Sequence, residues 1–173
     1  ENYSGKHLYY NNFEKHMRYL REYTNPTSLS DIVQSIKQGE TIPPRSVAIT
    51  FDDGFQNNFS VAFPILKKYE IPATFYLSTG FIGTNRLFWV DEVEGLIRLT
   101  RKRSVNIRVK SKEKEFLLDD KEKKINVIRE IKEEMKSIQD EGKDILLEDL
   151  RNQLDVSLEN IRESAMNYKT MSW

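Results

Sequence analysis

The sequence predicts an α/β fold with a parallel sheet, and three features of the chain indicate it. Residues 47–51 and 73–78 are short runs rich in β-branched and aromatic side chains, which is typical of strands. A helical segment separates them, and strand–helix–strand within about 30 residues indicates a βαβ unit. The first run is almost entirely apolar, as in a strand buried on both faces, and we expect the second strand to be buried as well. The rest of the chain is charged and amphipathic, which predicts helices packed beside this sheet.

Two helices are predicted before the first strand. Residues 12–23 carry apolar side chains at helical spacing, and residues 27–37 do the same. Ser28 or Ser30 can cap the second helix, and Gly39 is expected to close it.

The helix between the two strands is predicted over residues 57–69. Asn57 or Asn58 can cap its beginning. Pro64 lies inside it, so we expect Pro64 either to bend the helix or to lie in a first helical turn. The Ile71-Pro72 dipeptide is expected to end the helix.

The second half of the chain has a different character. The predicted elements are a helix over 89–100, a hairpin of 105–109 with 115–118, a helix over 120–139 ended by Gly142, and helices over 145–154 and 158–168. Their charged, amphipathic composition predicts a helical insertion packed on the α/β part and not a separate catalytic unit.

Composition excludes several classes of function. The 173 residues include 27 basic and 27 acidic side chains, so net charge gives no argument for binding nucleic acid. No stretch approaches the roughly 18 apolar residues of a membrane span. Cysteine is absent, which excludes disulfides, cysteine-ligated zinc and a thiol nucleophile.

One segment is a candidate for catalysis. Asp52, Asp53 and Gly54 directly follow the first predicted strand, and α/β folds place their sites at the carboxyl ends of strands. Adjacent carboxylates repel each other unless a cation or a proton is present. A carboxylate ligand beside a carboxylate base is the arrangement that metal-assisted hydrolysis uses. The alternative is that Asp-Asp-Gly is an ordinary turn.

The segments around these carboxylates resemble the polysaccharide deacetylases, the NodB-like carbohydrate esterases. The resemblance rests on residues 50–55 (TFDDGF), 62–69 (AFPILKKY), 71–77 (IPATFYL) and 80–83 (GFIG), with weaker support from 13–20 and 88–91. It covers most of residues 13–91, and the remainder matches in general character only.

The resemblance implies a fold and a division of the chain. The family fold is a distorted (β/α) barrel. Residues 1–91 would be the N-terminal helices and first βαβ unit of that barrel. Residues 92–173 would be a charged, mainly helical insertion leading back toward it.

The resemblance also implies an activity and a site. It implies a bacterial hydrolase that removes acetyl groups from N-acetylated (or O-acetylated) sugars of a polysaccharide, using one divalent metal, often zinc. Asp52 would be the general base and Asp53 a metal ligand. Secretion or the cell envelope would be the expected location.

The family's other metal ligands are two histidines in a His-(Ser/Thr)-x-x-His segment, and this chain stops before one. It has only His7 and His16, both upstream of the first strand. We expect a packing or surface role for His16 and a solvated position for His7. We therefore expect a piece of a longer protein with weak metal binding, little or no activity alone, and either marginal stability or self-association.

Aromatic side chains are candidates for contacts with a sugar. Phe88 and Trp89 lie at the entrance to the insertion and are the better candidates for a substrate rim. Phe75 lies on a predicted strand, and we expect it to be part of the core.

Three other functions remain open at the level of sequence. An aspartate-based phosphatase needs Asp-x-Asp, whereas Phe51 occupies the position two residues before Asp53. A carbohydrate-binding or structural relative that has lost its metal site would have the same residues. An ordinary α/β domain would use Asp-Asp-Gly only as a turn.

Overall fold

The structure is a computed structural model that describes residues 8–109, 112–164 and 170–171. The chain divides into two compact units. Residues 4–85 and 169–173 belong to the first, called here the N-terminal unit. Residues 86–168 belong to the second, called the helical unit.

The N-terminal unit contains three α-helices and four short strands in its described part. They are α1 (Tyr10–Tyr23), β1 (Asn25–Pro26), α2 (Leu29–Gln38), β2 (Ser46–Val47), β3 (Ile49–Phe51), a π-helical segment (Asn58–Ala62) continuing into α3 (Phe63–Lys68), and β4 (Ala73–Phe75). Strand β1 pairs with β2 and strand β3 with β4, both in parallel. The predicted βαβ unit is therefore confirmed, with Ile49 opposite Ala73 and Phe51 opposite Phe75.

The core of this unit lies between the strands and helices α1 and α3. Its buried side chains are Met17, Ala62, Ile65, Leu66 and Ile71. Phe51 and Phe75 stack with their ring centroids 4.9 Å apart, and both pack against this cluster. Phe75 therefore contributes to the core, as predicted.

The prediction that the two strands are buried on both faces was wrong. Ile49, Phe51 and all of β4 are half-buried, and Thr50 is exposed. An apolar run shows that a strand tolerates burial, but burial itself depends on what covers each face. Within the described residues, β3 and β4 form a sheet of only two strands.

The caps of α2 agree with the sequence prediction. The Ser28 hydroxyl accepts a hydrogen bond from the Asp31 N–H at 3.1 Å. Gly39 ends the helix in the left-handed conformation, with φ of 70°, as is common at helix ends.

The helix between β3 and β4 differs from the prediction at its beginning. Neither Asn57 nor Asn58 caps it through a side chain; it begins instead with the π-helical segment. Pro64 lies in the first turn of α3. This is one of the two positions predicted for Pro64, and the π-helical segment directly precedes α3.

The helical unit packs four helices with one antiparallel hairpin in its described part. Its elements are α4 (Trp89–Leu99), β5 (Ser104–Val109), β6 (Lys112–Leu117), α5 (Lys121–Lys136), α6 (Asp140–Leu154) and α7 (Leu158–Ser164). The most buried side chains include Leu96, Ile107, Ile131, Leu150 and Ile161. The end predicted for the last helix, near residue 168, lies outside the described residues.

The predicted break at Gly142 was wrong. Helix α5 ends at Lys136, and α6 already begins at Asp140, so Gly142 lies inside α6. Asp140 and Glu141 occupy the first turn of α6, where negative charge stabilises a helix. The helix-start signal of these acidic residues outweighed the helix-stop signal of the glycine.

Candidate active site

The two candidate carboxylates directly follow β3, at its carboxyl end. Asp52 is exposed, Asp53 is half-buried and Gly54 is buried. Because β3 and β4 are parallel, their carboxyl ends lie at the same edge. The residues that follow β4 therefore come close to the two aspartates.

Asp52, Asp53 and Gly54 form a tight turn of the main chain. The Gly54 N–H donates to the Asp52 carbonyl oxygen at 2.9 Å, which closes a three-residue turn around Asp53. Asp53 has a φ of 70°, a left-handed conformation that is uncommon for residues with a Cβ and is found at functional sites.

Two polar side chains hold this turn. The Ser78 hydroxyl donates to Oδ1 of Asp53 at 3.3 Å. The Asn58 side-chain amide donates to the Asp52 carbonyl oxygen at 3.3 Å. Sequence reasoning considered Asn58 only as a helix cap and did not single out Ser78. The predicted parallel pairing of the two strands could have indicated Ser78, because it places the residues that follow both strands at the same edge of the sheet.

Gly54 is enclosed by apolar side chains and by a returning segment of the chain. A Cβ at Gly54 would lie 2.7 Å from Ile82 Cδ1 and 2.9 Å from Leu77 Cδ2. Thr170 forms an antiparallel bridge with Phe55. The chain thus returns to the aspartate turn after residues 86–168.

The described residues do not complete a metal site. No group of three histidine, cysteine or acidic side chains lies together within them. His16 is exposed on α1, consistent with the predicted surface role, and His7 lies outside the described residues. Asp52 and Asp53 are oxygen ligands of a kind that divalent metals accept, but two carboxylates do not make a closed or catalytic zinc site.

The two candidate substrate-rim residues belong to the helical unit. Phe88 precedes α4 and Trp89 begins it, and both are half-buried. Trp89 packs against the core of its unit, and Lys143 Nζ lies 5.9 Å from its ring centroid. These contacts give Trp89 a structural role, and its contact with a substrate stays a prediction.

No described helix combines the length and the apolar composition needed to cross a membrane.

Comparison with known families gives one match that includes the aspartate turn. The sequence profile described as "Polysaccharide deacetylase" matches residues 39–146, which is more than half of the chain. The matched region contains β3, the aspartate turn, β4 and Ser78.

Curated relatives match over shorter segments. A poly-beta-1,6-N-acetyl-D-glucosamine N-deacetylase of Staphylococcus aureus is 35% identical over 82 residues, which are 47% of this chain and 28% of the relative. The corresponding Staphylococcus epidermidis protein is 46% identical over 57 residues, 33% of this chain and 19% of the relative. The chain thus spans less than a third of the length of these relatives.

Among solved structures, the deacetylase domain of BpsB from Bordetella bronchiseptica is 22% identical, with a TM-score of 0.34. The match covers 57% of this chain and 32% of that domain's chain.

Proposed function

Because this chain belongs to the polysaccharide deacetylase family, we propose that it is part of a hydrolase that removes acetyl groups from N-acetylated sugars of a polysaccharide. The observation that carries the proposal is the turn of Asp52, Asp53 and Gly54 at the carboxyl end of β3, inside the matched region. The similarity to N-deacetylases named for a polymer of N-acetyl-D-glucosamine supports an N-acetylhexosamine polymer as the substrate class, with O-acetyl groups as the less favoured target.

The proposal includes a fold for the intact protein. Strands β3 and β4 would be the first strands of a distorted (β/α) barrel, and residues 1–91 its N-terminal part. Residues 92–173 would be a mainly helical insertion that leads back toward the barrel. The parallel pairing of β3 with β4 supports this assignment, since the strands of such barrels are parallel.

Asp52 is the residue that we propose as the general base. Its side chain is exposed at the strand end, where water and a substrate can reach it. The carboxylate would take a proton from water as the water oxygen bonds to the acetamide carbonyl carbon. The carbon–nitrogen bond then breaks as the nitrogen gains a proton, which yields acetate and a free amine on the sugar.

Asp53 is the residue that we propose as a carboxylate ligand of a divalent metal, with zinc expected from the family resemblance. The other ligands would have to come from outside the described residues. We therefore propose that the chain by itself is inactive. Phe88 and Trp89 would line the rim of the substrate site, and the protein would act on polysaccharide at the cell envelope or after secretion.

A second candidate function is a non-catalytic, carbohydrate-binding relative of the deacetylases. Such a relative would keep the Asp-Asp-Gly turn of the described residues and would lack the family's histidine pair elsewhere in the protein. Such a protein would bind the polymer without releasing acetate, and substitution of Asp52 would leave that binding unchanged.

The experiment compares Asp52→Asn and Asp53→Asn variants of the full-length protein that contains this chain. Acetate release is measured on a β-1,6-linked N-acetylglucosamine oligomer, and we expect Asp52→Asn to lower kcat roughly 10²- to 10⁴-fold. We expect Asp53→Asn to lose activity together with zinc affinity. Asp31→Asn, at an exposed site on α2, is the matched control. Full activity in both site variants would show that Asp-Asp-Gly is only a turn.

A further inference from the structure

We propose that Ser78 is a positioning residue that orients the Asp53 carboxylate through its hydroxyl; this inference rests on the proposed function. The Ser78 Oγ lies 3.3 Å from Asp53 Oδ1. Within the described residues, the Asp53 carboxylate accepts its side-chain hydrogen bond from this hydroxyl. The distance is long for an O–H···O hydrogen bond.

Strand pairing places Ser78 beside the aspartate turn. Phe51 lies opposite Phe75 in the parallel ladder. The Tyr76 N–H donates to the Phe51 carbonyl oxygen at 2.8 Å, so the pairing continues one residue past β4. Asp53 is two residues after Phe51 and Ser78 is three residues after Phe75. The register of the two strands therefore sets the Asp53–Ser78 distance.

A tight turn of the main chain then holds Ser78 in place. Its carbonyl oxygen accepts hydrogen bonds from the N–H groups of Phe81 at 2.8 Å and Ile82 at 3.3 Å. Ile82 is buried, with 3% of its surface exposed. The Thr170 hydroxyl also donates to the Phe81 carbonyl oxygen at 2.8 Å. The hydroxyl of Ser78 thus projects from a segment that is fixed at several points.

Asp53 needs such a partner because its backbone does not set the direction of its side chain. The left-handed φ of 70° is sparsely populated for aspartate. A half-buried carboxylate at such a turn can adopt more than one side-chain rotamer. A hydrogen bond to Oδ1 selects one of them and leaves Oδ2 for another interaction. Loss of an orienting partner typically costs roughly 10- to 100-fold in metal affinity or activity.

The test uses Ser78→Ala and Ser78→Thr in the full-length protein. Threonine keeps the hydroxyl, whereas alanine removes it. Ser60→Ala is the matched control, since Ser60 is exposed and its hydroxyl donates to the Gln56 carbonyl oxygen. The measurements are kcat and KM on the β-1,6-linked N-acetylglucosamine oligomer, zinc affinity by competition with a chromogenic chelator, and the melting temperature.

We expect Ser78→Ala to lower kcat and zinc affinity by roughly 10- to 100-fold, with KM and melting temperature nearly unchanged. Ser78→Thr should recover most of both losses, and Ser60→Ala should match the wild type. Wild-type kcat and zinc affinity in Ser78→Ala, with both lost in Asp53→Asn, would overturn the role of Ser78 and leave the proposed function standing.

Two further outcomes would also overturn the role of Ser78. One is a lowered melting temperature in both Ser78 variants without recovery in Ser78→Thr, which would indicate a packing role. The other is a wild-type protein that neither releases acetate nor binds zinc, which would overturn the proposed function as well.

Discussion

The N–H of Met171 donates a hydrogen bond to the carbonyl oxygen of Gly54 at 2.9 Å, although the whole helical unit separates them in the sequence. The Met171 carbonyl oxygen accepts a hydrogen bond from the Gly83 N–H, also at 2.9 Å. Met171 therefore joins the loop after β3 to the loop after β4. These hydrogen bonds fix the main chain at Gly54, the last residue of the aspartate turn. The side chains of Ile82 and Leu77 leave little room for a Cβ at that position.

Substitution of Gly54 by alanine should destabilise the protein for two reasons. The φ of Gly54 is 70°, and the new Cβ would lie 2.7 Å from Ile82 Cδ1. Left-handed backbone costs a residue with a Cβ about 1–2 kcal/mol, and overpacking typically adds about 1–3 kcal/mol. The free energy of unfolding, measured by urea denaturation, should fall by about 2–5 kcal/mol.

Gly39→Ala is the matched control for Gly54→Ala. Gly39 has the same φ of 70°, but nothing lies within 4 Å of its Cβ position. We expect this variant to lose only the backbone contribution, about 1–2 kcal/mol. Equal losses in the two variants would contradict the close packing around Gly54.

Substitution of Gly95 by alanine should also destabilise the protein, through helix packing. A Cβ at Gly95 on α4 would collide with the side chain of Ile161, which is fully buried on α7. We expect a loss of about 1–3 kcal/mol from overpacking. In a double-mutant cycle by thermal or urea unfolding, Ile161→Ala should remove most of the additional cost of Gly95→Ala.

Gly142→Ala provides the control for a helical glycine with space around it. Its nearest neighbour would be Ile138 Cβ at 3.7 Å, an ordinary contact. Because alanine favours helix more than glycine does, we expect a gain of about 0.5–1 kcal/mol. A gain of that size at Gly95 as well would show that α4 and α7 do not pack closely there.

The stability of the helical unit should depend on pH through Glu92. Burial raises the pKa of the Glu92 carboxyl, while the nearby Arg151 charge and hydrogen bond, at 2.8 Å, partly oppose the shift. Because the folded pKa is raised, the stabilising contribution is present below the ordinary glutamate pKa and is lost as pH rises through the raised value. Urea denaturation at several pH values should show this fall, and Glu92→Gln should remove it.

Removal of the cation beside Glu92 should cost more than removal of the acid. Arg151→Met leaves a carboxylate with 8% of its side chain exposed and without this partner. We expect the free energy of unfolding at neutral pH to fall by about 1–3 kcal/mol, and the pKa of Glu92 to rise further. If Arg151→Met lowered the free energy of unfolding less than Glu92→Gln does, Arg151 would not be the group that stabilises the buried Glu92 carboxylate.

The ion pair between α1 and α3 predicts the opposite dependence on pH. Lys68 Nζ lies 2.6 Å from Glu14 Oε1, and its hydrogen bond and charge lower the pKa of Glu14. The stabilising contribution is present above the ordinary glutamate pKa and is lost as pH falls through the lowered value. Glu14→Gln should therefore reduce the melting temperature at neutral pH and have no effect in acid. Added salt should shrink the difference, and an effect that persists in acid would exclude the ion pair as its cause.

Local patterns in the sequence predicted most of the elements. The βαβ unit, the cap of α2 at Ser28 and its end at Gly39 each depend on residues close together in the chain, and each is present. The two candidate carboxylates were predictable for the same reason, since Asp52 and Asp53 are adjacent and follow a strand. Their catalytic roles stay predictions. The prediction of a helix break at Gly142 failed because the acidic residues at positions 140 and 141 start a helix there.

The sequence by itself determined the two carboxylates of the candidate site and the edge of the sheet at which they lie. Only the tertiary structure decided which residues surround them. Ser78 reaches Asp53 across 25 residues through the register of two strands, and Met171 reaches Gly54 after the chain has formed a whole second unit. The half-buried state of β3 and β4 also depends on which distant parts of the chain cover their faces. Contacts between distant residues depend on the path of the chain in space, and no local pattern of side chains encodes that path.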